Sequence, residues 1–327
     1  MEARALDPLS DVLRAVRLNG AHFFCVEASA PWVVEAPEAT ALAPRVLPAS
    51  EHLISYHVVA RGRCFGGLSG GERIALEEGD VIVFPHGDRH VMASARELRP
   101  RPEDQIVESP PHFPVPVTIG GLPDSCGPVE RTTLVCGFLG CDRRPFNPLI
   151  ATLPAVLHMR GTPHGVLAAF SRQAAEESRA QRSGAALFLT RLSELMFIEV
   201  VRRYVESVSS EGQGWLAGLR DPCVAKTLGL LHGQPARAWT LPELASAANV
   251  SRSVLAERFA AIIGQPPMQY LTQWRLQLAA GLLVDTSSKV AAIATSVGWE
   301  SEAAFSRAFK KSLGMPPSEW RRRRSPP

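Results

Sequence analysis

Residues 241–322 read LPELASAANVSRSVLAERFAAIIGQPPMQYLTQWRLQLAAGLLVDTSSKVAAIATSVGWESEAAFSRAFKKSLGMPPSEWRR, and this stretch resembles itself at a shift of about 50 residues. The positions that recur are Leu255, Phe259, Gly264, Pro266 and Pro267, which return as Phe305, Phe309, Gly314, Pro316 and Pro317. Leu244-Ala245 returns as Ile293-Ala294, one residue short of that shift, so the second copy has one extra residue in its turn. Two copies of one supersecondary unit explain the repeat.

Each copy carries the start signals of a helix. Thr240 and Glu243 have the spacing of a capping box before the short helix that contains Leu244. Ser251 and Ser301 are good N-caps for the helices that follow. We therefore expect capped helices over residues 251–263 and 301–313.

The residues between the paired helices predict a tight turn. Asn249 in the first copy and Gly298 in the second stand where the backbone must become left-handed. A short helix, a turn of three or four residues and a capped second helix form a helix-turn-helix. Between the copies, residues 268–283 have the apolar spacing of a long amphipathic helix, which would hold the two motifs at a fixed separation.

The second helix of such a motif enters the major groove of DNA near its N-terminus. Because the repeated Leu255, Phe259, Phe305 and Phe309 point inward, the opposite faces are free to contact bases. The candidates for base contacts are Arg252, Ser253, Ala256, Glu257, Glu302, Ala303, Ser306 and Arg307. The candidates for phosphate contacts are Lys310, Lys311, Arg321 and Arg322.

Among the base candidates, Arg307 has the chemistry to pair with guanine O6 and N7. Glu257 is able to accept from cytosine N4, although it is equally consistent with an ordinary surface charge. The charge of this end of the chain indicates a polyanionic partner, since the residues from Asp221 onward include thirteen Lys and Arg but only seven Asp and Glu. The first 220 residues are slightly acidic.

The front of the chain has a different pattern. Over residues 1–145, short apolar runs such as HFFCVEA, HLISYHVVA and DVIVFP alternate with Gly, Pro and Asp turns, which is typical of a β-sandwich or barrel. The stretch 97–127 is rich in Pro and Gly and predicts a long loop or irregular hairpin.

Residues 146–206 predict a helical connector. Apolar residues recur at three- and four-residue spacing between 164 and 207, and Ser183-Gly184 interrupts them, which indicates two helices joined by a turn. These helices cover either the β domain or the same helices of a second subunit, and we favour a homodimer. Residues 207–221 are rich in Ser and Gly and predict an interdomain linker.

The repeated region closely resembles the AraC/XylS family of bacterial transcription regulators. The resemblance covers both motifs, the joining helix with Arg275-Leu276, and the closing Pro-Pro-Ser-x-x-aromatic-Arg, about a quarter of the chain. It implies two recognition helices in successive major-groove segments on one face of double-stranded DNA. Small Ser253 and Ala256 stand where relatives often carry larger polar side chains, so base readout by the first copy is either weak or dependent on Arg252 and Glu257.

The front half resembles the cupin-like sensor domain of one subgroup of that family. Residues 79–94, GDVIVFPHGDRHVMAS, match the second cupin motif, with Ser94 replacing the usual Asn. The candidates for an effector pocket are Glu51, His57, His90 and Cys136. His57 and Glu51 share one strand face, because side chains alternate with period two.

Four interpretations of this pocket stay open, one of which is a pH sensor based on His57 or His90. Hydrogen-bonded histidines would line a small-molecule site, two histidines and a thiol would hold a metal ion, and a low-pKa thiolate among Cys126, Cys136 and Cys141 would sense oxidants. The six cysteines contain no CxxC pair and are expected to be thiols.

The sequence thus predicts an α+β multidomain fold: an N-terminal cupin-like β-barrel (1–145), a helical connector (146–206), a linker (207–221) and an all-α tandem helix-turn-helix domain (222–327). The predicted function is a DNA-binding transcription regulator, not an enzyme, that senses a small molecule or a redox signal. The alternative is a metal-dependent cupin enzyme fused to a DNA-binding domain. With neither a membrane span nor a signal peptide in the sequence, we expect the protein in the cytoplasm.

Overall fold

The computed structural model describes residues 7–18, 21–48, 50–101, 117–119, 130–162, 165–180, 182–209 and 212–324. The strands are β1 (Ala21–Ser29), β2 (Val33–Ala36), β3 (His52–Arg61), β4 (Cys64–Leu68), β5 (Ile74–Leu76), β6 (Val81–Phe84), β7 (His90–Ala93), β8 (Val117–Ile119), β9 (Arg131–Cys141) and β10 (Leu157–Met159). The first six helices are α1 (Pro8–Ala15), α2 (Ala39–Val46), α3 (Pro148–Thr152), α4 (Val166–Ala180), α5 (Ala185–Ser207) and α6 (Trp215–Gly218). The remaining helices are α7 (Pro222–Gly233), α8 (Leu241–Ala247), α9 (Arg252–Ile263), α10 (Pro267–Asp285), α11 (Val290–Ser296), α12 (Glu302–Leu313) and α13 (Pro317–Arg324).

These elements form two compact units. The first, which we call the β unit, contains residues 18–142 and 153–204. The second, the helical unit, contains residues 205–327 together with residues up to 17 and residues 143–152. The boundaries expected from the sequence instead place residues 1–145 in one domain. The two short segments, residues up to 17 and residues 143–152, contact residues far away in the sequence, so their place in the helical unit is not visible from sequence pattern alone.

Two sheets build the β unit. One has six strands in the order β10-β6-β3-β9-β1-β8, and the other has four in the order β2-β7-β4-β5. The six-stranded sheet is mixed, since β8 pairs in parallel with β1 while β9 pairs with β1 in the antiparallel direction. Backbone hydrogen bonds join the described strands within each sheet, and the closed barrel that the sequence predicts is not seen among them.

The two faces of the six-stranded sheet have different neighbours. Inward-facing Phe84 and Phe138 join Met92 of the four-stranded sheet in one hydrophobic core. On the opposite face, Tyr56 donates a hydrogen bond of 2.6 Å to Ser193 of α5, whose hydroxyl in turn donates to the carbonyl of Leu189. The connector helices therefore cover the outer face of the sheet.

The second cupin-like motif makes tight turns in this unit. Gly79 has φ +91° and Gly87 has φ +71°, and a Cβ at Gly87 would lie 2.3 Å from the Cβ of Ala39. Ser94 accepts a hydrogen bond from the backbone of Trp32 at 3.0 Å. The predicted loop over 97–127 lies largely outside the described residues, except that residues 117–119 form β8.

The helical unit is organised around α10. Tyr270 and Trp274 of this helix are fully buried, and Trp274 stacks on His232 of α7 with ring centroids 4.0 Å apart. Trp215 donates a hydrogen bond of 2.8 Å to the Tyr270 hydroxyl. Residues 215–218, which the sequence places in a linker, are instead buried in this unit as α6, because the large indole of Trp215 has a partner there.

The N-terminal helix α1 also belongs to the helical unit. Buried Gln277 of α10 donates to the carbonyl of Ala15 at 2.8 Å and accepts from the backbone N–H of Phe146 at 2.9 Å. Arg17 forms an ion pair of 2.9 Å with Asp285 at the end of α10. One amide side chain thus joins three segments that are far apart in the sequence.

Candidate nucleic-acid interface and sensor site

Both helix-turn-helix motifs are present with the predicted local chemistry. Thr240 and Glu243 form the capping box at the start of α8. Ser251 accepts from the N–H of Val254 at the start of α9, and Ser301 accepts from the N–H of Ala304 at the start of α12. The predictions of capped helices over 251–263 and 301–313 are confirmed.

The turns between the helices have the predicted backbone. Asn249 has φ +57° and Gly298 has φ +93°. A Cβ at Gly298 would meet the backbone of Ala236 at 2.7 Å and Arg275 Nη2 at 2.8 Å, so this position needs glycine for space as well as for conformation. Arg275 itself donates to the carbonyls of Pro235 and Arg237 and fixes the segment before α8 onto α10.

The second helix of each motif has one buried and one open face. Leu255 and Phe259 of α9 and Phe305 and Phe309 of α12 are completely buried. The exposed base-contact candidates are Arg252, Ser253, Glu257, Glu302, Ala303 and Arg307, and the half-buried ones are Ala256 and Ser306. The faces expected to contact DNA are thus accessible within the helical unit.

The basic residues near the C-terminus divide into two groups. Lys310, Lys311 and Arg322 are exposed. Arg321 donates to the carbonyls of Leu283 and Ser288 at 3.0 Å and 2.6 Å and so caps the end of α10. Its guanidinium therefore has a structural role, which a run of four arginines in the sequence does not reveal.

Two more arginines of that run, Arg323 and Arg324, also have partners. Arg323 forms an ion pair of 2.6 Å with Glu319, and the guanidinium of Arg324 lies 4.0 Å above the ring of Trp320.

On α9, Arg258 pairs with buried Asp221, the N-cap of α7, at 2.6 Å. This pair fixes α9 to α7.

Three of the four effector-pocket candidates meet between the two sheets. The Nδ1 atom of His57, on β3, lies 2.9 Å from the sulfur of Cys136. The Nε2 atom of the same ring lies 2.8 Å from Nε2 of His90. His90 Nδ1 lies 2.9 Å from the carbonyl of Asp88. Glu51 lies just before β3 and is half-buried.

Cys136, His57, His90 and the Asp88 carbonyl form one row of hydrogen-bonded groups. The direction of each hydrogen bond in this row follows from the charge states of the two imidazole rings. Burial lowers the pKa of His57 well below its usual value and that of His90 to about 4, so both rings are neutral at pH 7. The Asp88 carbonyl can only accept, so His90 carries its proton on Nδ1 and accepts at Nε2. His57 then donates from Nε2 and accepts the thiol proton of Cys136 at Nδ1. All the donors in the row point the same way.

This row does not fit a metal ion. Cys136 and His90 contact opposite nitrogens of the His57 ring, so the three donors do not converge on one point. In the part of the chain that the structure describes, no group of three or more His, Cys, Asp or Glu side chains is placed to hold a metal ion.

Three of the described cysteines do not have the properties of a reactive thiolate. Burial raises the pKa of Cys25 to about 11, that of Cys64 to about 12 and that of Cys136 above its usual value. Because only the thiolate is strongly nucleophilic, the predicted low-pKa thiol is not found at Cys136. Cys126 lies outside the described residues.

The connector helices leave apolar side chains in solvent. Four of them are exposed by 44–65%: Val166, Leu187, Phe188 and Leu195. Phe188 and Leu195 are seven residues apart and so lie on one side of α5. In the same helix Leu192, Met196 and Val200 are buried. One side of α5 thus packs in the β unit, while the other is open.

Two recognition helices on one compact unit, following a β domain with a cupin-type motif, define a DNA-binding protein of the tandem helix-turn-helix class. A Cupin family model matches residues 7–206, and a Helix-turn-helix domain model matches residues 244–323. The chain belongs to the AraC-like family of transcription regulators, because proteins of that name are 34–35% identical to it over nearly its whole length.

Known relatives match along the whole chain. A protein of Streptomyces antibioticus named as an AraC-like transcription regulator is 35% identical over 332 residues, covering 98% of this chain and 100% of the relative. A protein of Streptomyces lividans with the same name is 34% identical, covering 97% and 98%. Among solved structures, the DNA-binding domain of the transcriptional factor AdpA in complex with a target DNA is 27% identical, with a TM-score of 0.30 and coverage of 32% of this chain and 92% of that domain.

The comparisons point away from the enzyme alternative, since the relatives are named as transcription regulators. None of the described helices combines the length and the apolar composition needed to cross a bilayer.

Proposed function

We propose that this chain regulates transcription by inserting α9 and α12 into successive major-groove segments on one face of a DNA duplex. The observation that supports this most is the pair of capped helices whose inner faces are buried and whose outer faces are exposed. Since α10 packs with both motifs in one unit, their separation is fixed before DNA binds.

Arg307 is the main base-reading side chain in this proposal. It lies on the exposed face of α12, and arginine makes bidentate contacts with guanine in the major groove. Glu302, Ala303 and Ser306 complete the reading face of α12, while Arg252, Ser253, Ala256 and Glu257 form that of α9. Lys310, Lys311 and Arg322 contact phosphates, which adds affinity without sequence information.

The β unit is the sensor in this proposal. The neutral, hydrogen-bonded row of His57, His90 and Cys136 favours response to a small molecule over metal chemistry or thiolate oxidation. An effector regulates DNA binding only if it prefers one arrangement of the connector helices energetically. The chain in this account is a regulator without catalytic activity.

The protein acts as a homodimer in this proposal, and the open side of α5 is the contact. A second copy of the same helix would cover Leu187, Phe188 and Leu195 in a two-fold interface. Arg191 lies among these apolar residues, one turn from each of them, and it is paired at 2.8 Å with Glu194 at the edge of this face.

Binding selection on genomic fragments tests the proposed function. Each subunit is expected to read two segments about one helical turn apart, so purified full-length protein should enrich fragments that share one sequence motif in each half-site. Repeating the selection with a metabolite panel should change the enrichment for at least one compound. Enrichment no different from random fragments would contradict a sequence-specific regulator.

A further inference from the structure

An apolar side chain stands in solvent on the first turn of helix α9. Val254 is 44% exposed, and its backbone N–H donates to the hydroxyl of Ser251, the N-cap of this helix, at 3.3 Å. Among the described residues of the helical unit, one other large apolar side chain is exposed to a similar extent, that of Met268 at 38% near the start of α10. Val254 therefore lies at the end of α9 that contacts base edges in the proposed function.

Helical geometry places Val254 on the outward face of α9. Because each residue advances by about 100° of rotation, Ser253, Glu257 and Val254 follow one another around the helix within an arc of about 100°. All three are exposed. The middle of this arc lies about 170° from the middle of the buried pair Leu255 and Phe259. Val254 is thus on the reading face, as close to its centre as Ser253.

Short side chains surround Val254 on this face. The outward arc of α9 also contains Ala260, which is half-buried, and Ala261, which is exposed. At the repeat shift of about 50 residues, the equivalent positions of α12 carry the exposed cations Lys310 and Lys311. The major groove admits an α-helix, and a helix whose outer side chains are short can approach the base edges closely. A valine is then long enough to reach them.

The chemistry of valine limits what it can contact on DNA. An aliphatic side chain neither donates nor accepts a hydrogen bond, so it makes no favourable polar contact with phosphates or with the hydrogen-bonding atoms of the bases. The apolar group that a base presents in the major groove is the C5-methyl of thymine. Contact between this methyl and an aliphatic side chain removes apolar surface of both from water, which favours binding.

We infer that Val254 is a specificity-determining residue that selects a thymine, and hence a T·A pair, in the segment read by α9. This inference rests on the function proposed above, since α9 must enter a major groove. The residue of α12 equivalent to Val254 is Ala304, which is half-buried, so the contact belongs to the first motif. The two motifs then differ in base preference, because α9 selects thymine by methyl contact and α12 selects guanine through Arg307.

Removal of single thymine methyl groups tests the inference. In a site obtained by the genomic selection, each thymine of either strand is replaced in turn by deoxyuridine, in one half-site at a time. Deoxyuridine lacks the C5-methyl and keeps every hydrogen-bonding group of the base. For the unmodified full-length protein, at least one replacement should weaken binding by about 4-fold, the change expected when one methyl group fewer is buried. Fluorescence anisotropy with labelled duplexes measures the two affinities.

Matched variants assign the methyl contact to Val254. Val254→Ala should reduce the difference between the thymine and deoxyuridine duplexes to less than about 2-fold, because the two changes remove the same contact. Met268→Ala, at the other exposed apolar position and outside both recognition helices, should keep the difference of about 4-fold. Alanine favours helix, so both variants should remain folded, and their affinity for random DNA should equal that of the unmodified protein.

The outcomes separate this inference from the proposed function. A selected site at which no thymine replacement weakens binding would overturn the role of Val254 and leave the regulator intact. The same holds for a difference that Val254→Ala retains in full, or one that Met268→Ala also abolishes. Failure to select any site would contradict the regulator and the inference together.

Discussion

Arg307 separates sequence recognition from general affinity at the scale of a single residue. It is exposed on α12 between the buried rings of Phe305 and Phe309, which hold the helix in place. Lys311 is exposed on the last turn of the same helix. We expect Arg307 to contribute to sequence recognition and Lys311 to contribute to general affinity for DNA.

Arg307→Ala should weaken binding to the selected site by about 1–3 kcal/mol and leave binding to random DNA nearly unchanged. Lys311→Ala, the matched control, should weaken both by similar amounts and reduce the slope of log affinity against log salt by about one. Fluorescence anisotropy with two labelled duplexes over a salt series measures both. Equal losses on the two duplexes for Arg307→Ala would contradict its base-reading role.

His90 makes the stability of the protein depend on pH. Its pKa is about 4 in the folded protein and about 6.5 in an unfolded chain. As the pH falls below 6.5, the unfolded chain takes up a proton that the folded protein does not. Stability should therefore decrease between pH 6.5 and pH 4, by up to about 1.4 kcal/mol per pH unit from this group.

His90→Gln removes this titrating group, so its free energy of unfolding should fall less steeply over the same interval. Urea unfolding at several pH values measures the slope, and the comparison does not depend on the variant's stability at pH 7. His232, with a pKa of about 3 in the helical unit, should continue to contribute to the slope in both proteins. Identical slopes for the two proteins would show that His90 is not held neutral.

At the scale of the element, the two motifs are fixed by a few backbone positions. Gly264 and Gly314 end α9 and α12 in the left-handed conformation, and a Cβ at either position would meet open space. Gly298 is also left-handed but is crowded by Ala236 and Arg275. The glycines therefore differ in what a methyl group would do.

Gly264→Ala should destabilise the protein by about 1 kcal/mol, because only the backbone conformation is unfavourable. Gly298→Ala should cost about 1–3 kcal/mol more, because Ala236 must also move. Urea unfolding of the two full-length variants gives the difference. Equal losses would indicate that the turn before α12 relaxes freely.

Much of the structure of the two helix-turn-helix motifs could be predicted from the sequence, because the residues that cap the helices and form the turns act locally. Ser251, Ser301 and Thr240 act within three residues, and Asn249 sets its own backbone. The inward positions of Leu255 and Phe305 follow from helical periodicity. The position of Arg321 could not be predicted, since its carbonyl partners are more than thirty residues away.

Contacts between distant segments dominate at the scale of the whole molecule. Helix α1 joins the helical unit through Gln277, and a cavity on the outer face of the six-stranded sheet is lined by residues of β1, β3, β8 and β9 together with α4. The pairing of His57 with His90 also depends on how two sheets face each other. Period-two alternation could place His57 on the inner face, but not beside a particular residue of the other sheet.

The open side of α5 leads to a prediction about assembly. Leu195→Glu should convert the proposed dimer into a monomer, because a carboxylate would have to be desolvated at the centre of the contact. Leu195→Met, which keeps an apolar side chain of similar size, should retain the dimer. Sedimentation velocity distinguishes the two states. A monomeric unmodified chain, or a dimer with Glu at position 195, would contradict this interface.

Guanine N7 methylation interference on a selected genomic fragment tests most directly whether α9 and α12 enter neighbouring major grooves. For each subunit, methylation should block binding at guanines in two clusters, about 10 base pairs apart on one face of the duplex. Arg307→Ala should remove interference from only one cluster of each pair. A single cluster per subunit, paired clusters on opposite faces, or equal loss at both in the variant would contradict the account.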